Sequence, residues 1–342
     1  MHEHQWSLAC ALFATVVIAG GQVAPLQEGA LTEVPGLHHL HMNSTAPEKA
    51  IAGYLKAYPS LTTVTTWGLP GVKAPNGVTL LFTKVGGPLL MPGPDRDDVP
   101  QSAFWHHVWN VTDVRRTLVR FKADSEFKLV PQYLGPDGAK GEVSSDGLPG
   151  FLTTAQLDAA RARGAQPSHR GGYFNWYGPD GVLMETLEGP SEVYTILGMF
   201  QEQPLCAVLW YRSHLNADVP SGRGAPTSVR LKTPQNCRVE RGEVSWPSTY
   251  TRGHYRDPGA EAVVFSGVSL RWYMNQSSTP LVSTRGQLFD HVALSVKSVD
   301  AWAAKLRQEG VTILEQPHAF AGARVMVIEG PSREAIELVE QR

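Results

Sequence analysis

Apolar positions recur along this chain in four copies of one short pattern. Counting from His39, the residues 8, 11, 12 and 15 places on are Pro47, Ala50, Ile51 and Tyr54, the spacing that sets side chains on one helix face. The same count gives Val114, Thr117, Leu118 and Phe121 from His106, and Pro204, Ala207, Val208 and Tyr211 from Ile196. From His291 it gives Val299, Trp302, Ala303 and Leu306. Each count therefore predicts a strand followed by an amphipathic helix. The units also end alike: "GPDGVLMETLE" at 178–188 aligns without a gap on "GPSREAIELVE" at 330–340, pairing Glu185 with Glu337, and "GVTLLFTK" from Gly77 matches "GVSLRWYM" from Gly267. Strand and helix repeats of this kind predict an α+β chain. Because the first and third units end alike, and so do the second and fourth, the simplest reading is a duplicated two-unit domain, one copy over residues 32–191 and the other over 192–342.

Composition narrows the partners. With 342 residues there is enough chain for two domains that each bury a real core. Thirty basic and 32 acidic residues give a net charge of −2 with no long run of one sign, which argues against a nucleic-acid surface. Thirty-three Gly and 25 Pro predict many turns and long loops. Residues 1–24 stand apart, since "WSLACALFATVVIAGG" is apolar, ends in small residues and is too short for a stable membrane span. That segment predicts a signal peptide and an exported protein, periplasmic or secreted, although its flank "MHEHQ" lacks Lys and Arg; without the signal the chain would be cytoplasmic. Cys10 falls in the same run, leaving Cys206 and Cys237 either to pair after export or to stay as buried thiols.

Two stretches carry a family resemblance. "FDHVALSVKSVDAWAAKLRQEGV" with the closing "AIELVE", and "FWHHVWNVTDV" with "YGPDGVLMETLEG", resemble the vicinal oxygen chelate (VOC) superfamily, which includes glyoxalase I, bleomycin-resistance proteins and extradiol dioxygenases. The resemblance covers nearly everything after residue 35. It implies βαβββ modules, paired so that the strands of each pair curl into a partly open barrel around a site. It further implies metal ligands on the first strand of each module and on a module's last strand. Carried onto the first domain, these are His39, His106 and Glu185, with Leu81 at the remaining position. Two imidazoles and a carboxylate suit Fe(II), Mn(II) or Zn(II). Such a site keeps open positions where a small substrate chelates through two adjacent oxygens while the metal acts as a Lewis acid. The second domain offers His291 and Glu337, with Ile196 and Arg271 at the other two positions, so it reads as a degenerate copy or a separate binding cleft.

The remaining candidates sit around this set. In "GLHHLHMNST", strand alternation puts His39 and His41 on one face and His38 on the other. His41 is then a cavity wall, a partner that holds a ligand in place, or a proton donor, while His38 is expected to be exposed. His107, opposite His106, is expected to be structural or exposed. His169 and Tyr177 precede the Glu185 strand and are candidates for an acid or base. Seventy-nine residues separate His106 from Glu185 and 46 separate His291 from Glu337, so the first domain carries an insertion that reads as a lid or as outer ornament. The functions this supports are a metal-dependent enzyme, dioxygenase-like or of the lyase, isomerase or transferase kind, acting on a small molecule, or a metal-free protein that sequesters one. Only Gly178 separates Tyr177 from Pro179, a departure from the extradiol dioxygenase pattern. A homodimer is compatible with either function.

Overall fold

A computed structural model describes residues 31–87, 101–130, 172–201, 204–220, 261–274 and 280–341, with short pieces at 133–134, 143–144, 159 and 161–165. The first unit is β1 (Gly36–Ser44), α1 (Pro47–Ala57), β2 (Thr62–Thr66), β3 (Leu69–Lys73) and β4 (Thr79–Lys84). The second is β5 (Phe104–Val111), α2 (Val114–Lys122), three two-residue strands β6 (Lys128–Leu129), β7 (Tyr133–Leu134) and β8 (Val143–Ser144), then β9 (Tyr173–Tyr177) and β10 (Leu183–Glu188). The third is β11 (Val193–Gln201), α3 (Pro204–Leu215), β12 (Glu261–Phe265) and β13 (Val268–Met274). The fourth is β14 (Phe289–Val296), α4 (Val299–Gln308), β15 (Ile313–Phe320), β16 (Ala323–Glu329) and β17 (Ala335–Glu340). Residues 1–24, the segment expected to be a signal peptide, and nearly all of the insertion lie outside the described residues.

Local chemistry sets these elements. The Asp113 side chain accepts from Arg116 N to cap α2, and Ser298 accepts from Ala301 N to cap α4. The predicted faces are the buried ones, with all four positions buried on α3 and on α4. Two-residue turns at Trp67–Gly68, Ser266–Gly267 and Ala321–Gly322 join β2 to β3, β12 to β13 and β15 to β16, each with positive φ at both residues, the conformation whose twist suits a tight hairpin. Cys206, on α3, is disulfide-bonded; Cys237 lies outside the described residues. Among the described residues no helix is long and apolar enough to cross a membrane.

In every unit the first strand runs parallel to the last, and the repeat alignment holds in space. His41 pairs with Leu81, Val108 with Glu185, Gly198 with Arg271, and Ala293 with Glu337, in each case two residues past the position from which the unit was counted. The partnership between units differs from the expected one. One sheet has the order β15-β16-β17-β14-β1-β4-β3-β2 and the other β12-β13-β11-β5-β10-β9-β6. The first unit thus joins the fourth through antiparallel β1 and β14, and the second joins the third through β5 and β11. Residues 32–191 and 192–342 are therefore not the sheet-forming pairs, and Thr32–Arg342 make up one compact unit. Periodicity shapes each unit from within, but all four offer a similar first-strand edge, so it leaves open which edges join.

Contacts between sequence neighbours hold the two sheets together. Gly53 of α1 lies so close to the 178–181 turn that a Cβ there would stand 2.9 Å from Pro179 Cγ. Tyr58 hydrogen-bonds Thr186 at 3.0 Å and stacks on Trp109, both buried on the second sheet. At the other junction Tyr211 of α3 donates to Glu334 at 2.8 Å, beside the turn that leads into β17.

Candidate metal centre

Three donor atoms converge on one face of the first sheet. Glu337 Oε2, on β17, lies 3.7 Å from His39 Nε2 on β1 and 3.6 Å from His291 Nε2 on β14. All three atoms are buried, and none has a hydrogen-bond partner. Buried polar atoms left in that condition are rare and call for a missing partner. Donors about 2.1 Å from a common ion stand about 3 to 3.5 Å apart, so the set is within a small closing movement of holding one. The other ring nitrogens are already engaged. His291 Nδ1 meets Asp290 Oδ1 at 2.7 Å and His39 Nδ1 meets His38 Nδ1 at 2.8 Å, which leaves both Nε2 atoms for Glu337 or an ion.

His38 reaches this cluster because β1 is irregular. Its pairing with β14 goes from Leu37↔Leu294 to His39↔Ala293, so His38 is an extra residue, a bulge. Strict alternation placed His38 away from the site; the bulge brings it beside His39. His41 lies on the same strand, beside the cluster. It pairs across the strands with His291, stacks on that ring with centroids 4.5 Å apart, and bonds Thr83 Oγ1 through Nε2 at 2.8 Å.

Electrostatics divides the histidines. Burial lowers the pKa of His39 well below its usual value, and the neighbouring His291, His38 and His41 lower it further. Burial and His291 likewise hold His41 near about 4. Both rings are thus neutral at pH 7, the form that binds a metal. Burial acts in the same direction on His291, but the hydrogen bond to Asp290 and the charges of Glu337 and Asp290 outweigh it and raise that pKa. Asp290 is lowered to about 2, since its bonds to His291 and Gly286 N and the nearby Arg285 overcome its own burial.

The set expected from the sequence is not assembled. His39 lies in the first sheet, whereas His106 and Glu185 lie in the second, on β5 and β10, with His106 Nε2 3.3 Å from Glu185 Oε2. The second sheet carries only these two of its four ligand positions, Ile196 and Arg271 holding the others. Across from His106 stands Gly198, where a Cβ would fall 2.1 Å from His106 Cε1, so the imidazole lies over the glycine. In the first sheet the same place belongs to His41. His291 and Glu337, read from the sequence as remnants, therefore belong to the fuller site.

The other candidates are placed elsewhere. Tyr177, 37% exposed at the end of β9, lines a cleft of about 410 Å³ with Lys49, Gly53 and Asp180, and is no part of the His39 cluster. His169 lies outside the described residues. His107 is structural, buried with Nδ1 on the Tyr194 hydroxyl at 2.9 Å. Sequence reasoning missed Asp290 and Trp67. An acidic residue directly before a strand histidine was the available signal for the first, and an aromatic residue directly before a turn glycine for the second.

Residues 207–338 match the model of the Glyoxalase/Bleomycin resistance protein/Dioxygenase superfamily. No curated protein sequence matches the chain. Glyoxalase I from Zea mays superposes with a TM-score of 0.55 at 13% identity, over 90% of this chain and 92% of that one. A proposed dioxygenase from Bacillus subtilis subsp. subtilis str. 168 does so with a TM-score of 0.51 at 10% identity, over 90% and 86%. At such identities the two solved structures establish a shared fold.

Proposed function

We propose, for a chain that belongs to the glyoxalase/bleomycin resistance protein/dioxygenase superfamily, that the first sheet carries a metal-dependent active site built from His39, His291 and Glu337. The observation that carries this reading is the convergence of three buried, unpartnered donor atoms, with Glu337 Oε2 within 3.7 Å of both imidazole Nε2 atoms. Two imidazoles and one carboxylate suit Fe(II), Mn(II) or Zn(II). When bound, such an ion supplies Lewis-acid stabilisation to a small substrate presenting two adjacent oxygens. The chain's own residues do the rest. Asp290 fixes the His291 tautomer with the proton on Nδ1, and His38 occupies His39 Nδ1. Leu81, at the fourth ligand position, contributes no donor and leaves room for substrate. His41, neutral and anchored to Thr83 through Nε2, can accept a substrate proton at Nδ1.

Metal content tests the assignment. Wild type and Glu185→Ala are expected to hold about one ion per chain, whereas Glu337→Gln and His291→Ala lose it. Loss in Glu185→Ala instead would return the site to the second sheet. Metal in none of the proteins, after reconstitution with each ion in turn, would favour a metal-free binding protein. With metal present, product formation under anaerobic conditions separates the lyase or isomerase kind from the oxygen-dependent kind.

A further inference from the structure

Trp67 occupies a backbone position that does not suit it. It is the first of the two turn residues between β2 and β3, at φ 54°, a region that bulky side chains rarely enter. The same place holds Ser266 in the third unit and Ala321 in the fourth. All three turns share the positive φ, but the other two place small side chains there, so the bulky indole at this one points to a role for the side chain. The indole turns toward the donor cluster. It stacks on His38 with centroids 5.3 Å apart and meets His39 edge-on at 5.5 Å. It also packs against the buried Ala293, Val325 and Val339. Across from it, 5.7 Å away and nearly perpendicular, is the ring of Phe320, 43% exposed at the end of β15. Since β2 and β15 are the outermost strands of this sheet, the pair joins its two free edges beside the site.

We propose that Trp67 and Phe320 form an aromatic clamp that sets substrate specificity, taking a flat, uncharged apolar group attached to the chelating oxygens. This rests on the metal site assigned above. The surroundings of the clamp select that class. Ala293, Val325 and Val339, all buried, back the indole with apolar side chains. The bordering arginines are matched within the chain, Arg285 by Glu315 at 2.7 Å and Asp290 at 3.4 Å, and Arg324 by both oxygens of Asp300. Trp67 and Phe320 already touch edge to face, so an arene takes the corner beside the perpendicular pair, its face on one ring and its edge on the other, contacts that a small aliphatic group cannot make.

Benzohydroxamate and acetohydroxamate, which chelate through the same two oxygens and differ only in phenyl against methyl, test the clamp by titration calorimetry with and without Mn(II). The Mn(II)-loaded wild type is expected to bind the phenyl compound roughly tenfold more tightly. Trp67→Ala should bring that ratio near one by weakening benzohydroxamate more than acetohydroxamate, and Trp67→Phe should restore part of it. Phe320→Ala, at an exposed position, should lower the ratio several-fold and carries the test should Trp67→Ala fail to fold. A wild-type ratio near one, or a ratio kept in both alanine variants, overturns the clamp. A clamp-dependent phenyl preference to which Mn(II) adds nothing supports the clamp and overturns the metal reading. No binding of either compound under any condition overturns both.

Discussion

Replacing Asp290 with Asn changes one atom and should weaken metal binding through His291. The two oxygens of Asp290 serve four donors. Oδ1 faces His291 Nδ1 at 2.7 Å and Arg285 Nε at 3.4 Å, while Oδ2 accepts from Gly286 N at 2.6 Å and Asn43 Nδ2 at 3.5 Å. Asparagine has one oxygen for both sides. If that oxygen stays on Gly286 N, the amide NH2 faces the His291 Nδ1–H, donor against donor. The ring then shifts its proton to Nε2, the atom that faces Glu337. Loss of such a supporting partner lowers metal affinity by about 10- to 100-fold, or about 1.4 to 2.7 kcal/mol. The pH dependence adds a second constraint. Asp290 helps raise the pKa of His291, and a proton on Nε2 competes with the ion, so wild-type affinity falls as pH drops through that raised value. The variant's His291 has a lower pKa, so its affinity begins to fall at a lower pH. The deficit should accordingly be largest near pH 8 and shrink toward pH 5.5. Competition with a chromogenic chelator at several pH values measures both effects. Affinity unchanged at pH 8, or a deficit that grows on acidification, would refute the reasoning.

Three further outcomes follow from the same structure. Glu334 is fully buried and its pKa is raised to about 7, chiefly by burial, with the Tyr211 hydroxyl and Ser332 N opposing. The folded state therefore holds a proton that the unfolded chain releases, and stability is lost as pH rises from about 4.5 to 7, by about 3 kcal/mol on simple linkage. Glu334→Gln should remove most of that slope in urea unfolding at pH 5 and pH 8, and an unchanged slope would count against a neutral buried carboxyl. Gly198→Ala places a methyl in the His106 ring and should destabilise the fold by about 1 to 3 kcal/mol while leaving metal stoichiometry intact, which thermal melting and metal analysis check together. Tyr58→Phe removes the bond to Thr186 between the first and second units and should cost about 1 kcal/mol by denaturant titration, because the Thr hydroxyl then loses a buried partner.

The sequence by itself determined the unit. Four strand–helix counts in one register fixed which helix faces are buried and which strand positions align, because hydrophobic periodicity acts within a few residues of chain. His39, His106, Glu185, His291 and Glu337 all stand on the strand positions so derived, and the two sheets fit a tandem arrangement of the superfamily that the resemblance named. Only the tertiary structure decided which units pair. Pairing the first unit with the second gives His39, His106 and Glu185; pairing it with the fourth gives His39, His291 and Glu337. Either choice yields two imidazoles and one carboxylate, so counting ligands along the chain could not separate them. The decision lies in the β1–β14 edge, whose partners are more than 240 residues apart in sequence, and in side chains that no local pattern reports. The bulge that turns His38 inward depends on the neighbouring strand's register. Asp290 matters because His291 points Nδ1 at it, and Trp67 reaches His39 only once the turn it sits on folds back over the sheet.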